Sequence, residues 1–339
     1  MTCRWVFLAP MLLVDAGLAP AADERLLERT LEFDGSRVEI TLRGTPVQEA
    51  AFWRWIDNAG RAVSTYFGRF PVPRVRLAVR IERGGRIGSG LTRGGPVPSI
   101  NIAVGADVTL TTFRDDWVLT HEMVHLAFPD LTSDDVWAEE GMATYIEPIA
   151  RARIGTLPGA ERWRELVFGL PQGLPRAEDG GLHGTRSWAR KYWGGALYWL
   201  LADVRLREST SGRCGLEHAL RGVLQAGGSI RTNWSLEKTL RVADDATGVS
   251  VLLHLYREMA FRPVRTDLDA LWQRLGVRHS GGGVAFDDDA PLAAVRRAIT
   301  PAVPRQDGKD HSEGNAESRH RVECREPLPA GGEGAGSGG

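Results

Sequence analysis

Residues 121–128 read His-Glu-Met-Val-His-Leu-Ala-Phe. On a helix, His121 and His125 lie one turn apart on the same face. Two neutral imidazoles so spaced can reach one Zn²⁺ at about 2.0–2.1 Å. Glu122 stands beside the first histidine, where its carboxylate can take a proton from a water activated by the metal. A third ligand is available downstream in Trp137-Ala-Glu-Glu140-Gly, with fourteen residues between His125 and Glu140. That interval accommodates the end of one helix, a turn through Pro129 to Asp135 and a second helix returning beside the first. Two histidines and one glutamate leave the fourth tetrahedral position open, the arrangement of a catalytic zinc; a structural zinc is normally closed by a fourth side chain, most often cysteine. Glu139 is the competing ligand, ranked below Glu140. Thr144, one turn after Glu140, is placed to hydrogen-bond a ligand.

These groups need elements to carry them. Residues 29–43 alternate apolar and polar about a turn at Asp34-Gly35, predicting a strand or hairpin. Between Pro46 and Phe67, Val47, Ala51, Trp55, Ala59 and Val63 recur every four residues, predicting a helix. Residues 74–82 and 98–105 read as strands on either side of a glycine-rich segment, 84–95. That segment, Gly85-x-x-Gly88-x-Gly90, lacks the lysine of a phosphate loop and reads as a flexible flap. After Thr111 the pattern turns helical, over 113–128, 134–153, 159–168, 187–208, 214–226, 248–261 and 266–275. The first of these starts at a capping-box-like Thr112-Phe-Arg-Asp115 and stops at Pro129. Residues 281–300 add a short strand and a last helix. Trp188, Trp193 and Trp199 are expected to fill the core. The histidines at 183, 218, 254 and 279 are expected in packing or at the surface, with His183 also a candidate for the cleft rim because it sits in a loop.

His121-Glu122-x-x-His125 followed by Trp137-x-x-Glu140-Gly141-x-Ala143-x-Tyr145 resembles the gluzincin zinc metallopeptidases. The similarity is strongest to the peptidase MA-like domains of membrane-alanyl and glycyl aminopeptidases. The resemblance implies that His121, His125 and Glu140 bind one zinc per chain and that Glu122 is the general base. Residues 191–210 are similar to the Tyr-x-x-Gly-Ala helix of the same families, which implies that Tyr192 stabilises the oxyanion, with Gly195 and Ala196 completing the motif. A phenol suits that role because it is a neutral donor. The resemblance covers about 110–300 and implies a peptide or protein substrate. The chain departs from the alanyl branch in a shorter interval between His125 and Glu140. It also lacks the Gly-x-Met-Glu-Asn segment that grips a free amino terminus, so aminopeptidase activity does not carry over. In that place stands the 98–105 strand, expected as the edge that pairs with an extended substrate; Pro96 and Pro98 at its start suit an edge.

The expected fold is α+β: a small N-terminal mixed sheet with an edge strand at the cleft, then a mostly helical, thermolysin-like C-terminal part. Residues 1–22 read as a signal peptide, from Arg4, an apolar run and a small-residue cleavage site ending at Ala21. Residues 23–110 form the N-terminal α/β part and 111–300 the helical zinc-peptidase part. Residues 301–339, rich in Pro, Gly, Ser and charge, are expected to be disordered. Export to the periplasm or beyond follows, and Cys214 and Cys324 are compatible with an oxidising compartment. A net charge of −1 provides no footprint for nucleic acid, and no segment approaches the roughly 20 apolar residues of a membrane span. The best-supported function is a zinc metallopeptidase. The alternatives are an inactive gluzincin-like domain that binds a peptide or envelope partner, and a zinc hydrolase of a non-peptide substrate.

Overall fold

The computed structural model describes residues 26–301. The readings for 1–22 and for the tail beyond Pro301 lie outside the described residues. Strands β1 (Leu26–Phe33) and β2 (Ser36–Arg43) form an antiparallel hairpin. Its turn is Asp34-Gly35, both with positive φ (50° and 80°), as a two-residue hairpin with the native strand twist demands. Helix α1 (Glu49–Phe67) then carries the chain to β3 (Arg74–Glu82), parallel to β2. Strand β4 (Ile87–Arg93) and strand β5 (Ser99–Gly105) complete a five-stranded sheet in the order β1-β2-β3-β5-β4.

The alternation along these strands decides which face is covered. Val38, Ile40 and Leu42 lie in register with Val75, Leu77 and Val79, and Leu77 and Val79 with Ile100 and Ile102. All of these are buried; each such side chain stabilises the fold by roughly 1.5–3 kcal/mol on leaving water. The alternate positions carry charge, including an Arg74–Glu39 ion pair on the open face. Phe52, Trp55, Ile56, Ala59 and Val63 are buried along one face of α1.

Two readings of this region are corrected. The glycine-rich segment is not a flap: residues 87–93 form the outermost strand, β4, antiparallel to β5. Consequently 98–105 is an interior strand bonded to both β3 and β4, and the sheet edge on this side belongs to β4, with β1 at the other.

The helical half begins with α2 (Leu110–Asp115) and α3 (Val118–His125), two helices where one over 113–128 was expected. The capping box is formed by Thr109 and Thr112, which serve α2. Asp116 takes extended backbone angles between the helices. Its Oδ2 accepts from the Leu119 N–H (3.2 Å) and the Trp55 indole N–H (2.7 Å), so its side chain replaces the helical ladder at that point. Next come α4 (Val136–Arg153) and α5 (Gly159–Gly169). A short 3₁₀ turn (Leu170–Gly173) and a π-turn (Arg190–Gly194) lead into α6 (Gly195–Ser209). The chain finishes with α7 (Leu216–Gln225), α8 (Leu236–Thr247), α9 (Leu252–Met259) and α10 (Leu268–Leu275). After these come the hairpin β6 (Val277–Ser280) and β7 (Gly283–Phe286), and α11 (Ala293–Ile299). None of the helices is long and apolar enough to cross a membrane.

A buried polar network ties α4, α6 and α7 together. The Tyr145 hydroxyl donates to Asp203 Oδ2 (2.9 Å), Arg207 Nε donates to Asp203 Oδ1 (2.9 Å), and Arg207 Nη2 donates to Glu217 (2.7 Å). Burial works against the Glu217 carboxylate, yet Arg153 and Arg207 hold its pKa down to about 2. Cys214, at the α6–α7 corner, is fully buried and disulfide-bonded; Cys3 and Cys324 lie outside the described residues.

Glu165 on α5 shows the opposite balance. Burial first, and then the charge of Glu147, push its carboxyl up to about 7 from an ordinary 4.5. The folded chain therefore holds this proton where the unfolded chain has released it. The associated stability is complete below the unfolded value and is lost as pH rises through the folded one. Glu165→Gln, which cannot ionise, is expected to match the unsubstituted protein in thermal midpoint at about pH 5 and exceed it at about pH 8.5. A difference in midpoint that does not vary with pH contradicts this assignment.

Candidate active site

Helix α3 is enclosed by the core through Leu119, Met123 and Val124, all fully buried. Its remaining face presents His121 and His125, whose ring centroids are 4.9 Å apart. Helix α4 brings Glu140 up to them. Glu140 Oε2 lies 3.2 Å from His121 Nε2 and 3.7 Å from His125 Nε2, and the candidate ligand atoms of the three residues all fall within 4.8 Å of one another. Tetrahedral ligands bonded at 2.0–2.1 Å to one zinc are separated by about 3.3 Å. Two imidazole nitrogens and one carboxylate oxygen also form the donor set that zinc prefers, so the site fits that ion in chemistry and spacing.

At Glu140 and His125 the electrostatics agree with that fit, keeping the carboxylate ionised and favouring the neutral imidazole. Burial disfavours the Glu140 carboxylate, but the hydrogen bond from His121 and the nearby charges of His125 and His121 hold its pKa down to about 2. Burial lowers the His125 pKa, leaving it below its ordinary value. At His121 burial acts in the same direction, but the hydrogen bond and charge of Glu140 reverse it and the net shift is upward.

Glu139 is not a competitor. Its carboxylate accepts from the Leu131 N–H and so closes the loop between α3 and α4; burial pushes its carboxyl up to about 8 despite that bond. Thr144 Oγ1 donates to the backbone carbonyl of Glu140 (2.7 Å), not to the ligating carboxylate. His183 pairs with Asp135 (3.0 Å) just before α4 and packs on Phe261. It anchors its loop and does not join the triad.

Tyr192 reaches the centre because two helices touch at their backbones. A β-carbon added to Gly141 would lie 2.3 Å from Gly195 Cα, and one added to Gly195 would lie 2.1 Å from the Trp137 carbonyl oxygen. With both positions glycine, α4 and the start of α6 can meet with no side chain between them. The π-turn sits on this contact and delivers Tyr192, whose ring stacks on His121 at 5.9 Å. π-turns within helices occur often at functional sites. The Tyr192 hydroxyl hydrogen-bonds Glu140. Burial, followed by the charge and hydrogen bond of Glu140, raises its pKa far above the ordinary value, so the phenol stays a neutral donor.

Glu122 faces the sheet edge. Thr92 Oγ1, on β4, donates to Glu122 Oε2 at 2.6 Å and also lies 3.0 Å from the Glu122 carbonyl oxygen. Gly90 leaves the room for this carboxylate, since a β-carbon there would stand 2.3 Å from Glu122 Cγ. Glycine within a strand often marks such a close approach. Thr92 and Gly90 escaped the reading of the sequence, because a glycine-rich run carries little strand signal. Trp117 also escaped it, and Trp188 was read as a core residue. Each stands four residues before a site residue, and that spacing was the available signal. Trp199 is fully buried as expected, but Trp188 is 45% exposed and lies outside the core.

No family model matches the sequence, and no curated protein matches it. Solved structures do match. An aminopeptidase N family protein from Idiomarina loihiensis aligns with a TM-score of 0.53 at 14% identity, covering 74% of this chain and 49% of that one. Over the aligned part the two chains share a fold. An M1 zinc metallopeptidase from Deinococcus radiodurans aligns at 18% identity with a TM-score of 0.47, covering 72% of this chain and 53% of its own. A two-domain M1 zinc metallopeptidase bound to L-arginine aligns at 19% identity with a TM-score of 0.48, with the same coverage. The chain spans about half the length of the solved structures it matches.

The Gly141–Gly195 contact generates a test of the geometry. Gly141→Ala is expected to lower stability by roughly 1–3 kcal/mol, the usual cost of overpacking, read from urea denaturation. An unchanged midpoint would mean that α4 and α6 do not meet at their backbones.

Proposed function

We propose that this chain is a zinc-dependent metallopeptidase, exported from the cytoplasm, that hydrolyses peptide bonds. The observation that supports this most is the convergence of His121 Nε2, His125 Nε2 and Glu140 Oε2 within 4.8 Å of one another, with Glu122 next to His121 on the same helix. Zinc held there supplies Lewis acidity, polarising a carbonyl oxygen and bringing the pKa of water toward about 7.

The chain's own residues do the rest. Glu122 takes a proton from the water that attacks the peptide carbonyl and passes it to the leaving amine. Thr92 holds the Glu122 carboxylate through one oxygen, leaving the other oxygen for the water. Tyr192 donates its hydroxyl proton in a hydrogen bond to the carbonyl oxygen as negative charge builds there. The outer edge of β4, which among the described residues pairs only with β5, lies alongside Glu122 and offers backbone groups to an extended peptide.

The decisive experiment is digestion of a diverse peptide library with zinc present, comparing the unsubstituted protein with Glu122→Gln. Cleavage is expected, and Glu122→Gln should reduce it by about 10²–10⁴-fold, the usual contribution of a general base. Bound zinc measured by elemental analysis should be one per chain and should be lost in His125→Ala and Glu140→Ala. If zinc binds but neither protein cuts any peptide, the site serves binding or a non-peptide substrate instead. Thr92 has its own signature: Thr92→Val should lower kcat by about tenfold with KM nearly constant. Thr92→Ser, which keeps the hydroxyl, should restore it. Equal loss in both variants would make Thr92 a packing residue only.

A further inference from the structure

Among the tryptophans of the described residues, Trp55, Trp137, Trp163, Trp199 and Trp272 are 5% exposed or less, whereas Trp117 is 40% and Trp188 is 45% exposed. Both exposed indoles flank the candidate centre. Trp117 lies four residues before His121 and packs edge-on against its ring at 5.3 Å. Trp188 lies four residues before Tyr192 and packs against that ring at 6.0 Å. Since Tyr192 stacks on His121, the four rings form one chain of contacts, Trp117–His121–Tyr192–Trp188, with the two polar rings inside and the indoles at the ends. The Lys191 ammonium lies 4.4 Å over the Trp188 ring and helps to fix it in place.

An indole is a rigid, wide apolar platform for another ring, and here two of them stand exposed in ring contact with site residues. The polar groups of the centre are already engaged with one another: both histidines and Tyr192 with Glu140, and Glu122 with Thr92. The exposed indoles of Trp117 and Trp188 add apolar area beside these groups.

We propose that the site selects peptides with aromatic or large aliphatic side chains on the two sides of the scissile bond, one seated against Trp117 and the other against Trp188. This selectivity rests on the peptidase reading above and makes it specific.

The test separates the two. Binding of labelled Ala-Gly-Phe-Phe-Gly-Ala and Ala-Gly-Ala-Ala-Gly-Ala to zinc-loaded Glu122→Gln protein is followed by fluorescence polarisation, which needs no turnover. The phenylalanine peptide should bind about tenfold tighter or better, given the apolar area it buries. Trp117→Ala and Trp188→Ala, each added to that background, should bring the ratio toward one. Trp117→Phe and Trp188→Phe, which keep a ring, should retain most of it, and thermal denaturation identifies any variant whose fold is impaired. Equal binding of the two peptides, or a ratio untouched by both alanine variants, overturns the proposal. A dimer in sedimentation that the alanine variants dissolve overturns it too, because the indoles then serve a second copy of the chain. Library cleavage without aromatic preference leaves the peptidase standing and removes the selectivity. Aromatic preference in binding without any cleavage does the reverse.

Discussion

The backbone contact between α4 and the start of α6, at Gly141 and Gly195, is the constraint on which the rest of the site depends. Helix α4 contributes Glu140 one residue before the contact, and the π-turn contributes Tyr192 three residues before it. Any side chain at either glycine would separate the two elements, and the ligand and the phenol would then no longer share one space. The buried Tyr145–Asp203–Arg207–Glu217 network secures the same helices further along. The site is thus assembled where α4 is clamped twice, once by close packing and once by charge-assisted hydrogen bonds.

The sheet contributes from the other side. Strand β4 could have been a mobile loop judged by its glycines, yet it is held by β5 along one edge and by the Thr92–Glu122 hydrogen bond on its face. A carboxylate that must move a proton gains from being fixed by a residue on a different element, because its orientation is then set by the fold and not by its own rotamer preferences. Helix α3 stands between these two supports, with its histidines toward α4 and its glutamate toward β4.

Much of this was legible in the sequence. The i,i+4 histidines, Glu140 before Gly141 and the alternation of β2 and β3 each carry a local physical signal, and all appear where that signal places them. The failures have local causes as well. Helix α8 was missed although Leu236, Leu240 and Ala243 keep helical spacing, because three of its six buried residues, Thr239, Asp244 and Thr247, are polar and dilute the apolar signal. The break between α2 and α3 was missed because Asp116 acts through its bonds to Trp55 and Leu119, and Trp55 lies on α1. Strand β4 was missed because Gly90 answers to Glu122, which lies about 30 residues further along, and Gly88 to Ala103 on the neighbouring strand. For the α2–α3 break and for β4 the deciding partner lies outside the window over which a local pattern can be read.

Gly90 and Thr92 also shape how this cleft can change over evolutionary time. Side chains at these two positions point toward Glu122, so a substitution at either disturbs the carboxylate before it can alter what the cleft accepts. Strand alternation turns Leu91 toward the opposite face, where it is 48% exposed. Variation on β4 is therefore tolerated where it cannot reach the cleft and restrained where it can. On the proposed peptidase reading, preference would then be set on the helical side, at the turns that precede His121 and Tyr192.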